Sequence, residues 1–175
     1  KLSDNILIYD EAGDHTGMQS AEIAIKEGST VEFMTPDRLI SSEIMGMNLT
    51  PYLKNLQNKK ITYSIAKRLL DVSIKGNKLN ALIGSDYDEN FKYNASYDQV
   101  FLNYGIKPLD ELYFSLVAFS QNKGEVDYNK FINGEEQDII KSDNNKFNLF
   151  RIGDAVSSRN IHAAIYDALR LVINL

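Results

Sequence analysis

Asn5 to Asp10 reads Asn-Ile-Leu-Ile-Tyr-Asp, four apolar residues in a row with no polar break, closed by an acid. A strand of that length with two apolar faces must be covered on both, which is the condition of a central strand in a parallel sheet. Glu11 to Gly17 follows as a loop. Met18 to Lys26 then places Met18, Ala21 and Ile25 at helical spacing, with Gly28 as the C-terminal cap. Thr30 to Thr35 restores a strand and Pro36 ends it. Strand, glycine-bearing loop, helix and strand make a βαβ unit, whose two strands are expected to be parallel neighbours.

The segments that follow extend that unit. Leu49 to Leu56 is predicted as a second helix, capped by Asn48 or Thr50 and with Pro51 near its first turn; Gly46 falls in the loop before it. Ile61 to Ser64 is a third short strand. Arg68 to Ile74, Leu79 to Ile83 and Phe91 to Ala95 are strand-like runs broken at Gly76 and Asn77 and again at Gly84 to Asn90, the texture of an antiparallel meander. Gln99 to Gly105 resembles one more sheet strand. Leu109 to Phe119 is apolar enough for a helix or a strand, and periodicity does not separate the two. Asn122 to Asn145 is polar and reads as surface connection, with one helical stretch near Tyr128 to Ile132. Phe150 to Ile152 reads as an apolar strand, Gly153 and Asp154 as a turn, and Ser157 to Asn160 as the start of a long helix.

Composition narrows the chemistry. The 175 residues carry 24 acids and 19 bases, net −5, with no long run of either sign, so no surface is marked out for nucleic acid. No cysteine is present, which removes disulfides, thiolate metal sites and thiol nucleophiles from this segment. No apolar run reaches membrane-spanning length, and the opening residues are too polar for a signal peptide. The chain begins at Lys1 and not at a methionine, the expectation for an excised piece.

Two places could hold a nucleotide. In the βαβ unit, Gly13, Asp14 and Gly17 occupy the loop where a dinucleotide phosphate would lie, although the full G-x-G-x-x-G spacing is absent. Asp10, Glu11 and Asp14 crowd the same spot, and a phosphate beside like charges costs ~1 kcal/mol or more for each. Past the second strand, Asp37 or Arg38 could take up a ribose or its phosphate, where Thr35 and Pro36 stand at the usual position. At the other end of the chain, the Asp154 carboxylate can accept from a sugar-like hydroxyl, while the following helix start offers N–H groups to phosphate. Gly153, Ala155, Arg159 and Asn160 complete this second candidate; the alternative is that Asp154 merely tightens a turn and Arg159 and Asn160 are ordinary caps. His15 and His162 have no adjacent acid or serine partner and no metal-ligand spacing, so no catalytic or metal-binding residue is assigned.

Ile6 to Glu22, Val31 to Arg38, Asp110 to Phe114 and Phe150 to Arg170 together resemble the C-terminal part of the NADH:flavin oxidoreductase family, the group that includes trimethylamine dehydrogenase, histamine dehydrogenase, 2,4-dienoyl-CoA reductase and amine demethylases. The resemblance implies an α/β fold, a Rossmann-like three-layer parallel sheet with an antiparallel meander, of the glutathione-reductase NAD(P)H-domain type. Residues 1–105 would be that domain, 106–149 a connection packed on it, and 150–175 the segment returning to an FAD domain. It implies further that Asp154 holds the ribose or ribityl part of FAD or an ADP-like nucleotide, with Ala155 and the helix start near the pyrophosphate, and that NAD(P)H belongs to the Gly13 to Gly17 loop where it is used at all. FMN and a 4Fe–4S cluster would sit in an upstream TIM-barrel domain of the same parent chain, the partner this reading expects. The module would scaffold that barrel or deliver electrons to it; the alternative is an assembly domain whose dinucleotide site is degenerate. No nucleic acid and no membrane is expected, the location is expected to be cytoplasmic, and homo-oligomer formation is left open.

Overall fold

In the computed structural model, which describes residues 2–172, β1 (Asn5–Asp10) is the second of two inner strands in a four-stranded sheet of order β3-β2-β1-β7. β2 (Thr30–Met34), β3 (Ile61–Ser64) and β7 (Gln99–Asn103) complete it, and each adjacent pair is parallel. Ile6 faces Val31 on one side and Gln99 on the other, so β1 is hydrogen-bonded along both edges. A strand in that position must be apolar on both faces, and Ile6, Leu7, Ile8 and Tyr9 are all buried.

Alternation along β1 and β2 then defines the layers. Ile6, Ile8, Val31 and Phe33 point to one face, where they meet Met18, Ala21 and Ala24 of α1 (His15–Lys26) and Leu56 of α2 (Gly46–Leu56). Leu7, Tyr9 and Met34 point to the other, where they meet Leu69, Ala81, Ile83 and Tyr97. These last residues belong to the meander of β4 (Arg68–Lys75), β5 (Lys78–Gly84) and β6 (Tyr93–Tyr97), paired antiparallel in that order. Each fully buried aliphatic or aromatic side chain contributes about 1.5–3 kcal/mol relative to exposure, so the two clusters carry the stability of this unit. Polar contacts also join the sheets: the Glu32 carboxylate, which accepts from Ser64 Oγ at 2.6 Å within its own sheet, accepts from the Tyr97 hydroxyl of β6 at 2.6 Å, and Asn5 Nδ2 donates to the Ser96 carbonyl at 3.1 Å.

This first compact unit runs to Gly105, and a second begins at Ile106. The second contains α3 (Glu111–Leu116), a 3-10 turn at Val117–Phe119, α4 (Tyr128–Asn133) and α5 (Ile161–Val172). The choice left open at Leu109 to Phe119 therefore resolves as helix. Side-chain amides hold the irregular parts together. Asn122 is buried, donates to the carbonyls of Glu125 (3.0 Å) and Leu149 (2.9 Å), and accepts from the Leu149 N–H at 2.9 Å. Gln137 clamps Asp127 in the same manner, accepting from its N–H at 2.8 Å and donating to its carbonyl at 3.1 Å. A stretch that reads as surface connection thus has buried, specifically hydrogen-bonded anchors.

Three local readings change. The strand expected at Phe150 to Ile152 does not form; Ile152 has extended dihedrals, but among the described residues no strand pairs with it, and apolarity alone does not make a ladder. Ser157 to Asn160 precedes α5 and does not begin it: Asn160 is the cap, its side chain accepting from the Ala163 N–H at 2.9 Å. The second helix starts at Gly46, a turn earlier than its proline suggests, which leaves Pro51 inside it.

Candidate functional site

The loop after β1 lies at the carboxyl end of the parallel sheet, beside β7 and over the start of α1. Gly13 takes φ +66°, a conformation that L side chains rarely adopt, and a Cβ there would meet Ser42 Oγ at 2.9 Å. Gly17 lies in the first turn of α1, where a Cβ would come within 2.8 Å of the Asp10 carboxylate. Close approach of helix to strand is the part that the third glycine of a dinucleotide fingerprint plays. Here the space gained is filled by a side chain.

That side chain is Asp10, fully buried. Its Oδ1 accepts from the Gly13 N–H at 3.2 Å and from Asn103 Nδ2 at 2.8 Å, while Oδ2 has no partner among the described residues. Burial pushes the Asp10 carboxyl above the usual carboxylate range; the Gly13 and Asn103 donors pull it back and the charge of Asp14 adds to the rise. Asp14 caps α1, accepting from the Thr16 N–H at 2.9 Å, and also accepts from Asn103 Nδ2 at 2.9 Å. The backbone of this loop is equally engaged, because Glu11 N–H and Ala12 N–H both donate to the Asn103 carbonyl, at 2.9 and 3.2 Å. The third acid, Glu11, turns toward the meander, where it accepts from the Tyr9 hydroxyl at 3.1 Å and pairs with Arg68. Arg68 in turn holds Asp86 through two bonds of 2.6 and 2.7 Å.

Asp37 and Arg38 are exposed beyond β2 and, with Leu39 and Ser42, border a concavity of about 520 Å³. The buried Thr35 side chain accepts from the Asp37 N–H at 3.2 Å. The segment that follows is tied to the first loop, since the Glu43 N–H donates to the Gly13 carbonyl at 3.1 Å. His15 Nδ1 is 3.0 Å from the Tyr52 hydroxyl, a contact that fixes α2 against α1.

In the second unit, Gly153, Asp154 and Ala155 form a 3-10 turn before α5. Gly153 takes φ +57° and lies so near the helix that a Cβ would be 3.1 Å from the Ala164 Cβ. Its N–H donates to Asp167 at 3.3 Å, and Asp167 also pairs with Arg159. Asp154 is exposed and, among the described residues, accepts only a long bond, 3.4 Å, from the Arg159 N–H. Its carboxylate therefore retains free acceptor positions. Asn160 uses its side chain as the α5 cap, and Ile161 and His162 in the first turn have N–H groups without an intrahelical acceptor. A cavity of about 300 Å³ lies nearby, lined among others by Phe131, Phe150, Ile152, Leu171, Arg159 and Asp167. Asn103 orients the first loop and Asp167 the second, and neither is marked by sequence: Asn103 lies 93 positions from Asp10, and Asp167, although within the Phe150 to Arg170 stretch, reads as an ordinary polar position of the helix.

Among the described residues no group of three or more His, Cys, Asp or Glu could hold a metal ion, and no helix is long and apolar enough to cross a membrane. No family profile matches the chain. It is 50% identical over 98% of its length to a probable N-methylproline demethylase of Rhizobium meliloti (strain 1021), covering 25% of that protein. It is 32% identical over 95% of its length to an N,N-dimethylglycine/sarcosine dehydrogenase of Chromohalobacter salexigens, covering 24% of it. Among solved structures, the 6-hydroxypseudooxynicotine amine oxidase of Pseudomonas geniculata N1 matches with TM-score 0.62 and 20% identity, over 94% of this chain and 21% of that one. The chain matches a C-terminal region of the trimethylamine dehydrogenase-like family. It spans about a quarter of the length of the curated relatives it matches. The fold is shared more widely: thioredoxin reductase of Lactococcus lactis matches with TM-score 0.58 and 11% identity, over 97% of this chain and 51% of that one. The α/β architecture with a parallel sheet and an antiparallel meander is thus that of the reductase-type FAD and NAD domains, as the family resemblance implied.

Proposed function

We propose that this chain is the nucleotide-binding-like module of a flavin-dependent amine dehydrogenase or demethylase, supporting a catalytic barrel that carries FMN and an iron–sulfur cluster. The observation that carries this is the 50% identity to the probable N-methylproline demethylase, sustained over 98% of the chain. Within the module, the turn before α5 is the place for FAD or an ADP-like nucleotide. Its residues fit such a group: Asp154 has acceptor capacity to spare, Gly153 brings the turn onto the helix, and the α5 amino end supplies N–H donors with a favourable dipole. Arg159 and Asn160 act by shaping that end, the first through Asp167 and the second as cap. Asp37 and Arg38 are placed to meet a second nucleotide's ribose or phosphate only as exposed groups at the edge of the concavity they line. When bound, a flavin supplies the redox chemistry; the residues named here bind and orient.

The test is made on the product of the complete open reading frame. Asp154→Ala should lower its bound FAD or ADP content about tenfold, the loss of one or two charge-assisted bonds, while Asp14→Ala leaves that content unchanged. Equal effects of the two substitutions would overturn the assignment.

A further inference from the structure

A parallel sheet of the reductase type is where a nicotinamide dinucleotide would lie, at the carboxyl end of the strands, and the residues of this chain at that place decide whether one fits. A dinucleotide needs three things at such a place: an open crevice where strand order reverses, free loop amides for its pyrophosphate, and no charge of like sign. The crevice would lie between β1 and β7, the neighbours at which the order turns. It is closed by the Asn103 carbonyl, which takes the Glu11 and Ala12 amides, and by the Asn103 side chain, which takes Asp10 and Asp14. Of the loop amides, Gly13 is spent on Asp10 and Thr16 on Asp14. The room that Gly17 opens against β1 is occupied by the Asp10 carboxyl group. Lastly, the Gly13 carbonyl is bonded from above by Glu43, so the segment after β2 sits on the loop.

We infer that this loop is a self-liganded, closed form of a dinucleotide site, in which Asp10 and Asp14 take the Gly13 and Thr16 donors, Asn103 takes those of Glu11 and Ala12 and seals the crevice, so that the unit binds neither NADH nor NADPH. The inference rests on the proposed function only in naming the dinucleotide as the ligand to expect. Of the two roles open to the module, scaffold or electron delivery, it leaves this unit the first.

Two measurements on the product of the complete open reading frame decide it. Titration with NADH and with NADPH, followed by amide hydrogen exchange, should show no binding below about 1 mM and no new protection from Glu11 to Gly17. Without any nucleotide, the Gly13 and Thr16 amides should already be protected, and Asp14→Ala should speed exchange at Thr16 about tenfold. Protection of the loop by either dinucleotide, or free exchange at Gly13 and Thr16 while Ile6 to Tyr9 remain protected, overturns the inference. An ADP arm read at Ile161 to Ala164 reports separately on the turn before α5: silence there counts against the proposed function and leaves the closed loop standing.

Discussion

The first turn of α1 meets the end of β1 so closely that a β-carbon on Gly17 would lie 2.8 Å from the carboxyl carbon of Asp10. Neither group has room to yield, because Asp10 is tied to Gly13 and Asn103 and is wholly buried. Gly17→Ala should therefore destabilise the first unit by about 1–3 kcal/mol, the usual range for overpacking. Asp10→Ala should cost stability by itself but relieve the clash. Chemical denaturation of the two single variants and the double variant checks this, and strictly additive effects would contradict the contact.

Asp10 also sets a pH dependence whose sign differs from that of an ordinary surface carboxylate. Its folded pKa is raised, chiefly by burial, so between the unfolded value of about 3.9 and the folded one the native state holds more protons than the unfolded state. Stability from this group is present at low pH and declines as pH rises through that window. Asp10→Asn keeps an oxygen for Gly13 and Asn103 but cannot ionise, so the difference in stability, variant minus wild type, should grow with rising pH. Urea midpoints measured from acid to neutral pH give the answer; parallel curves would mean that Asp10 is not the group.

The second unit depends on an amide where a core would be expected. Asn122→Ala strips three bonds and leaves two carbonyls and the Leu149 N–H without their partner, at about 1–3 kcal/mol for a buried group so stranded. Exchange at Leu149 should accelerate by at least tenfold while Ile6 to Tyr9 are unchanged. Asn122→Asp is the informative companion, since it keeps the acceptor for Leu149 and loses both donors; an effect no smaller than that of alanine would place the anchoring in the donated bonds.

Much of the first unit is legible in the residues themselves. Ile6 to Tyr9 is apolar without interruption because β1 is covered on both faces, whereas a strand with one wet face would alternate. Gly76 and Asn77 mark the hairpin between β4 and β5 because a two-residue turn needs residues tolerant of unusual dihedrals. The Phe150 to Ile152 reading failed for a reason equally physical: the same apolarity marks burial with or without a partner, and the partner is not a property of the segment. The site was half legible. Glycines and acids at residues 13–17 show a turn under electrostatic load, but the residue that relieves the load, Asn103, lies 93 positions from Asp10. Local patterns carry no information about such a pair.

The order of strands has a consequence for how the chain is made. β1 gains its neighbour on one side from β2, soon after it, but its neighbour on the other side is β7, so Ile6 waits for Gln99. Closing so long a loop is entropically slow relative to the local steps around it. During synthesis the most apolar strand of the sheet is therefore an open edge until residue 103 has left the ribosome, and for that interval its unpaired backbone is available to other chains. The meander, whose antiparallel neighbours are adjacent in sequence, can assemble earlier and cover one face of β1 while the edge still waits.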